Sequence, residues 1–116
     1  MKLDTTITDR NYLYGRLLAV ADRIESQVSG HDSNRLTNAK RYMTAFSQHP
    51  YQTWKILEEQ IIPYQNKLSR KDQDKYQALI DEIMVTFESV KDFRDNTALD
   101  GLYLLGYHCQ SFTLNK

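Results

Sequence analysis

Three histidines and one cysteine are the side chains of this 116-residue chain best suited to acid–base, nucleophilic or metal chemistry, and their spacing assigns them none of it. His31, His49 and His108 have no carboxylate or second histidine three or four residues away, the separation that puts two metal ligands on one helix face. His108, Cys109 and Ser111 are close in sequence, yet neighbouring positions on a helix point in different directions and do not pair a nucleophile with a base. Cys109 reads as a small core residue, and a single cysteine leaves no intramolecular disulfide, as expected in a reducing compartment. There is no glycine-rich phosphate loop. Glu58-Glu59 and Asp81-Glu82 read as solvated helix faces rather than a paired acid and base. No enzyme, metal or cofactor is expected.

The cations suit another chemistry, the neutralisation of phosphate. Arg16 and Arg23 are seven residues apart, which puts them on one side of a helix about two turns apart, and Arg10 precedes them. Arg35, Lys40 and Arg41 make a second basic strip. If the two helices are neighbours, the strips line a shallow groove able to follow a phosphate backbone without reading bases. Lys67, Arg70, Lys71 and Lys75 form a competing patch at a helix junction, where a solvated charged connection is the plainer reading. For Arg16 the other reading is a buried ion pair, for instance with Asp100.

The net charge is zero, which argues against a protein that binds nucleic acid unaided through a strongly basic surface. The zero conceals an asymmetry: residues 1–55 hold eight Lys or Arg against five acids, and residues 56–116 hold seven against ten. Asp81, Glu82, Glu88, Asp92, Asp95 and Asp100 dominate the later part, a candidate surface for a neighbouring protein subunit or for facing away from DNA. Of thirteen aromatics, Tyr42, Trp54, Tyr64, Tyr76 and Phe87 fall on core stripes. Tyr12, Tyr14, Tyr51 and Tyr103 lie off them and are read as partner contacts.

The elements that must position these side chains are helices. Four glycines, two prolines and apolar residues at three- and four-residue intervals indicate an all-α chain, one domain over residues 1–116. Thr8 is read as the cap of a helix to about Ser29, with Leu13, Leu17, Val20, Ile24 and Val28 on its apolar face and Gly30 ending it. A second helix is expected from about Ser33 to Ser47, burying Leu36, Ala39, Tyr42, Met43 and Phe46, with His49-Pro50 as its limit. Pro50 starts a third helix, and Pro63 predicts a kink near Gln60 or a break. Ser69 caps a fourth helix from about Arg70 to Phe93. Thr97 with Asp100 starts a fifth to about Phe112, burying Leu102, Leu105, Cys109 and Phe112, with Gly101 and Gly106 packed closely against a neighbour. Short connections favour a compact antiparallel bundle of about five helices. No apolar run approaches a membrane span and Met1 to Arg10 lacks the features of a signal peptide, so a soluble, cytoplasmic protein without membrane contact is expected.

Asn11 to Val20 (NYLYGRLLAV) and Leu99 to Gln110 (LDGLYLLGYHCQ) carry a family resemblance. With Tyr14-Gly15-Arg16-Leu17 near one end, Leu105-Gly106-Tyr107 and Gln110 near the other, and the X-Pro-aromatic helix junction within Ala39 to Leu68 between them, the chain resembles the C-terminal helical region of the large subunit of type I-C CRISPR effector (Cascade) complexes. In that family the small subunit can be made from an internal start in the large-subunit gene and so equals this region. The resemblance therefore implies a non-catalytic small subunit that packs along the RNA-bound backbone in further copies, touches the large subunit, and stabilises opened target DNA while the guide RNA reads sequence by pairing. A chain beginning at Met1 without the large subunit's N-terminal body is expected to be that subunit; a fragment of the large subunit would carry the same sequence. A helical adaptor acting only through protein contacts is the alternative. The chain departs from the family pattern at His108, Cys109 and Ser111, where further tyrosine and a basic residue are expected, which counts against a nucleic-acid role for this end.

Overall fold

The computed structural model describes residues 2–29, 36–90, 93–94 and 96–114, and they form an all-α globule with helices α1 (Arg10–Ser29), α2 (Asn38–Arg41), α3 (Met43–Gln48), α4 (Pro50–Gln60), α5 (Ile62–Lys67), α6 (Arg70–Val90) and α7 (Leu102–Leu114). The expected Gly30 cap, the start of the second helix at Ser33, and Arg35 lie outside the described residues.

Asp9, rather than Thr8, caps α1: its Oδ1 accepts the Asn11 N–H at 2.8 Å and its carbonyl accepts that of Leu13 at 3.1 Å. Every residue from Tyr12 to Ala21 is buried, so α1 is enclosed on all sides rather than along one stripe. That is why Tyr12 and Tyr14, read as partner contacts, are core residues instead, as is Tyr103. The Tyr14 ring meets Phe46, Phe87 and Phe93 at centroid separations of 5.6, 4.9 and 5.7 Å, and its hydroxyl donates to the Phe93 carbonyl.

The expected second helix bends at Tyr42 into α2 and α3. The ladder runs through the bend, since Tyr42 N–H donates to Asn38 O and Phe46 N–H to Tyr42 O. Thr37 Oγ1 caps α2 by accepting the Lys40 N–H. Leu36, expected inside, lies ahead of that cap and is exposed. His49 leaves helical geometry before Pro50, which occupies the first turn of α4, and Pro63 sits in the first turn of α5 after a break at Ile61. Ser69 Oγ accepts the Asp72 N–H at 3.2 Å to start α6. This helix runs antiparallel to α1: Gln27 meets Asp72, Arg23 meets Tyr76, Arg16 meets Glu82 and Tyr14 meets Phe87. Phe93, expected to end the helix, instead lies in the turn beyond α6 and folds onto the aromatic cluster.

A backbone contact sets the position of α7. A Cβ on Gly15 would overlap Tyr103 O and stand 2.7 Å from Tyr107 N, and a Cβ on Gly106 would overlap Tyr12 O. Gly106 thus serves close packing as expected, whereas a Cβ on Gly101 would meet nothing within 4 Å. With Gly106 at the contact, α7 turns Tyr103, Tyr107 and Gln110 inward along with Cys109. Leu105 and Phe112, expected inside, are 44% and 47% exposed for the same reason.

Alanine at Gly15 or Gly106 must push two backbones apart. We expect a loss in the upper part of the ~1–3 kcal/mol range of overpacked cores, or more, and a thermal midpoint lowered by roughly 10 °C. Gly101→Ala should stay within about 0.5 kcal/mol of the parent. Thermal unfolding followed by circular dichroism checks all three.

Candidate nucleic-acid interface

The basic residues divide by burial into those that build the fold and those that face solvent. Arg16 belongs to the first group. At 1% exposure it donates from Nε to Gln110 Oε1 at 2.8 Å, and its Nη2 lies 3.6 Å from Glu82 Oε1. Burial lowers its pKa, opposed by Glu82, but a guanidinium stays charged. The ion-pair reading therefore holds with Glu82 in place of Asp100, and a phosphate role for Arg16 is excluded by its enclosure. Arg10 is also committed to the structure: Nη2 donates to Thr97 O at 2.7 Å and the guanidinium lies 5.7 Å from the Tyr14 ring centre. It ties α1 to the segment before α7.

Of the other exposed cations, Lys55 and Arg94 line a cleft with Glu88 in the later turns of α6, and the remaining ones singled out in the sequence converge elsewhere. Glu25 Oε1 accepts the Asn38 N–H and Thr37 Oγ1 donates to Asp22 Oδ1, which sets α2 against the C-terminal half of α1. Gln27 Nε2 donates to Asp72 Oδ2 at 2.7 Å, Tyr76 OH donates to Gln27, and Arg23 Nε donates to Tyr76 OH at 3.4 Å, which sets the first turns of α6 against that same half. Lys40 and Arg41 on one side and Lys67, Arg70, Lys71 and Lys75 on the other, all exposed, thus flank one end of α1. The two patches that compete in the sequence belong to one end of the molecule. Four acids among the described residues share it: Asp22 and Glu25 of α1, engaged with Thr37 and Asn38, Asp72, engaged with Gln27, and Asp74, 3.3 Å from Arg70 Nε in an exposed pair of small energetic value. Along α6 the charge then reverses, with Glu82 about 16 Å beyond Lys71 at helical rise and Glu88 farther still. Asp92 and Asp95 lie outside the described residues.

α7 closes a third side, which sequence reasoning discounted. A cleft of about 310 Å³ between α1, α2 and α7 is lined by Arg23 and Lys40 together with His108 and Ser111. Tyr107 OH donates to Asp22 Oδ2 at 3.1 Å, so both carboxylate oxygens of Asp22 take a hydroxyl proton, one from each wall. No sequence spacing marks this meeting of residues far apart in the chain; only the glycine contact brings it about. Among the described residues no three His, Cys, Asp or Glu side chains are grouped to hold a metal ion, and no helix is long and apolar enough to cross a membrane.

Two outcomes follow from these contacts. Arg16→Leu leaves Gln110 Oε1 buried without its donor, a loss of about 1–3 kcal/mol, and the double change with Gln110→Leu should recover part of it in urea unfolding. Burial and the Asp22 charge push the Tyr107 phenol above its ordinary value of 10.0, and burial raises that of Tyr12. The folded state then holds protons that the unfolded chain releases, so their stabilisation is full below pH 10 and is lost as pH rises beyond it. Phenolate absorbance should report these two tyrosines only as helix is lost; their reversible ionisation near pH 10 in the folded protein would contradict the assignment.

The chain matches the family model described as CRISPR-associated protein (Cas_Csd1) over residues 1–114. Comparison with curated proteins gives no match. Because the match spans nearly the whole chain and both contacting helices, the protein belongs to the Cas_Csd1 family of CRISPR-associated proteins.

Proposed function

We propose that this chain acts without chemistry of its own, as the small subunit of a type I-C Cascade complex, or as the equivalent C-terminal region of its large subunit. Guide RNA supplies sequence recognition by pairing, and the basic end of the chain steadies the opened target DNA through its phosphates. The observation that carries this reading is the convergence of Lys40, Arg41, Lys67, Lys71 and Lys75 at one end of α1, joined to membership of a CRISPR-associated family. Charge at several points suits a phosphate backbone and requires no base-reading geometry. A net charge of zero makes one copy a weak binder. Several copies on one RNA-bound backbone raise the effective concentration of each site, and the sum binds far more tightly.

One observation favours the adaptor reading. Leu104, Leu105 and Phe112 lie on the outer side of α7, all three apolar and well exposed. Such a face suits a protein neighbour. In the first reading it packs on the backbone, the large subunit or another copy while the basic end remains on DNA; in the adaptor reading it is the whole function.

Salt dependence separates the two, because phosphate contacts release counterions. A complex assembled with this chain should open target DNA over a longer stretch than one assembled without it. Copies carrying Lys40→Glu and Arg41→Glu should join the complex without restoring the opening, and should lower the slope of log affinity against log salt by at least about 1. Target opening unchanged by omission, or full rescue by the charge-reversed copies, would leave the adaptor.

A further inference from the structure

We propose that the cleft between α1, α2 and α7 seats one phosphodiester of a single-stranded nucleic acid, with His108 and Ser111 of α7 as binding residues beside Arg23 and Lys40. The proposal rests on the reading above and gives the basic end a defined subsite. It also assigns a role to two of the three positions at which the closing segment departs from the family pattern.

The chemistry of the lining selects an anion. Asp22 is the acid of the cleft, and its two oxygens already accept from Thr37 and Tyr107. Held between these walls, it serves as a brace that keeps α2 and α7 on α1. Burial and the Asp22 charge keep the Tyr107 phenol protonated, so the cleft gains no second anion at neutral pH. The other groups are donors: the Arg23 guanidinium, the Lys40 ammonium and the His108 imidazole, with the Ser111 hydroxyl beside them hydrogen-bonded to the Tyr107 phenol until a ligand oxygen accepts its hydrogen bond instead. An imidazole offers an N–H in either protonation state, so His108 can donate to a phosphate oxygen across the neutral range. Arg23 is fixed at the edge by its bond to Tyr76 OH, which joins the cleft to the α6 cations through a single side chain.

Size and position favour a strand over a free ion. About 310 Å³ is several times the volume of one phosphate and lies at the small end of ligand sites, fitting a phosphate with its sugar. The cleft opens beside Lys40, and a strand leaving it can continue over Lys40 and Arg41 on one side or past Arg23 towards Lys71 and Lys75 on the other. The His108 ring is exposed and stands edge-on to Tyr107 at 5.3 Å, leaving a face on which an adjoining base can stack.

The test uses the whole chain in solution at low salt, titrated with short oligothymidylate, oligouridylate or inorganic phosphate, and followed by two-dimensional NMR, which reads weak binding. We expect both oligonucleotides to shift the His108 ring and Ser111 amide signals with the Lys40 signals, and phosphate alone to do so only at much higher concentration. His108→Glu and Ser111→Ala, both at positions outside the apolar core, should keep the helical spectrum. The first should weaken oligonucleotide binding at least about fivefold, and the second should abolish the Ser111 response with a smaller loss. A preference for one oligonucleotide assigns the strand as DNA or RNA and supports the site in either case. If the oligonucleotides bind and shift Lys67, Lys71 and Lys75 while His108 stays still and His108→Glu binds as the parent does, the cleft proposal fails and the broader basic-end reading survives. If no oligonucleotide shifts any signal of the parent chain, both fail.

Discussion

Two glycines that let two backbones touch are the constraint on which the rest of this structure depends. Gly15 and Gly106 remove the side-chain layer that normally separates packed helices, and α7 settles directly on α1. Once that contact is made, the rotation of α7 is fixed. Gln110 comes within hydrogen-bonding reach of Arg16, Tyr107 reaches Asp22, and Leu104, Leu105 and Phe112 are left outside. The family-like segments around Tyr14-Gly15-Arg16 and Gly106-Tyr107 are thus the two halves of one contact. The arginine in the first is there to hold the second.

This assigns a division of labour among the basic residues that their charge alone does not. Arg10 and Arg16 lie on α1 and are spent on the fold, one tied to Thr97 and the other to Gln110 and Glu82. Lys40, Arg41, Lys67 and Lys71 sit on short or terminal helical turns with their charges in water. A neutral chain can therefore still carry a basic end, because the antiparallel course of α6 along α1 sends its acidic stretch to the opposite end. Such a polarised particle is suited to a position between an acidic strand and a protein scaffold.

Much of the fold was legible because the relevant physics is local. Pro50, Pro63 and Ser69 each act within a turn of themselves, and the breaks at His49 and Ile61 and the start of α6 fall where these residues require. The facing of α7 was not legible. Leu102, Leu104 and Leu105 follow one another so closely that apolar periodicity gives no single direction, and the deciding contact is with a glycine some ninety positions earlier in the chain. Tyr103 turns inward with that same facing of α7, whereas Tyr12 and Tyr14 are buried because α1, enclosed on every side, has no outward stripe. The bend at Tyr42 leaves the hydrogen-bond ladder intact, so no breaking residue announces it. The basic residues themselves could be picked out by type. That Lys40 and Lys71 share an end, and that His108 joins them, depends on tertiary packing alone.

The central claim is that the end of the molecule around Arg23, Lys40 and Lys71 meets nucleic acid and the Glu82–Glu88 stretch does not. Hydrogen exchange on the assembled effector complex, with and without bound target DNA, tests it directly. The account predicts that target binding slows exchange in α2, in the first turns of α6 and in the second half of α7, and leaves the later turns of α6 unchanged. Protection confined to the later turns of α6, or no change anywhere in this chain on target binding, would contradict it.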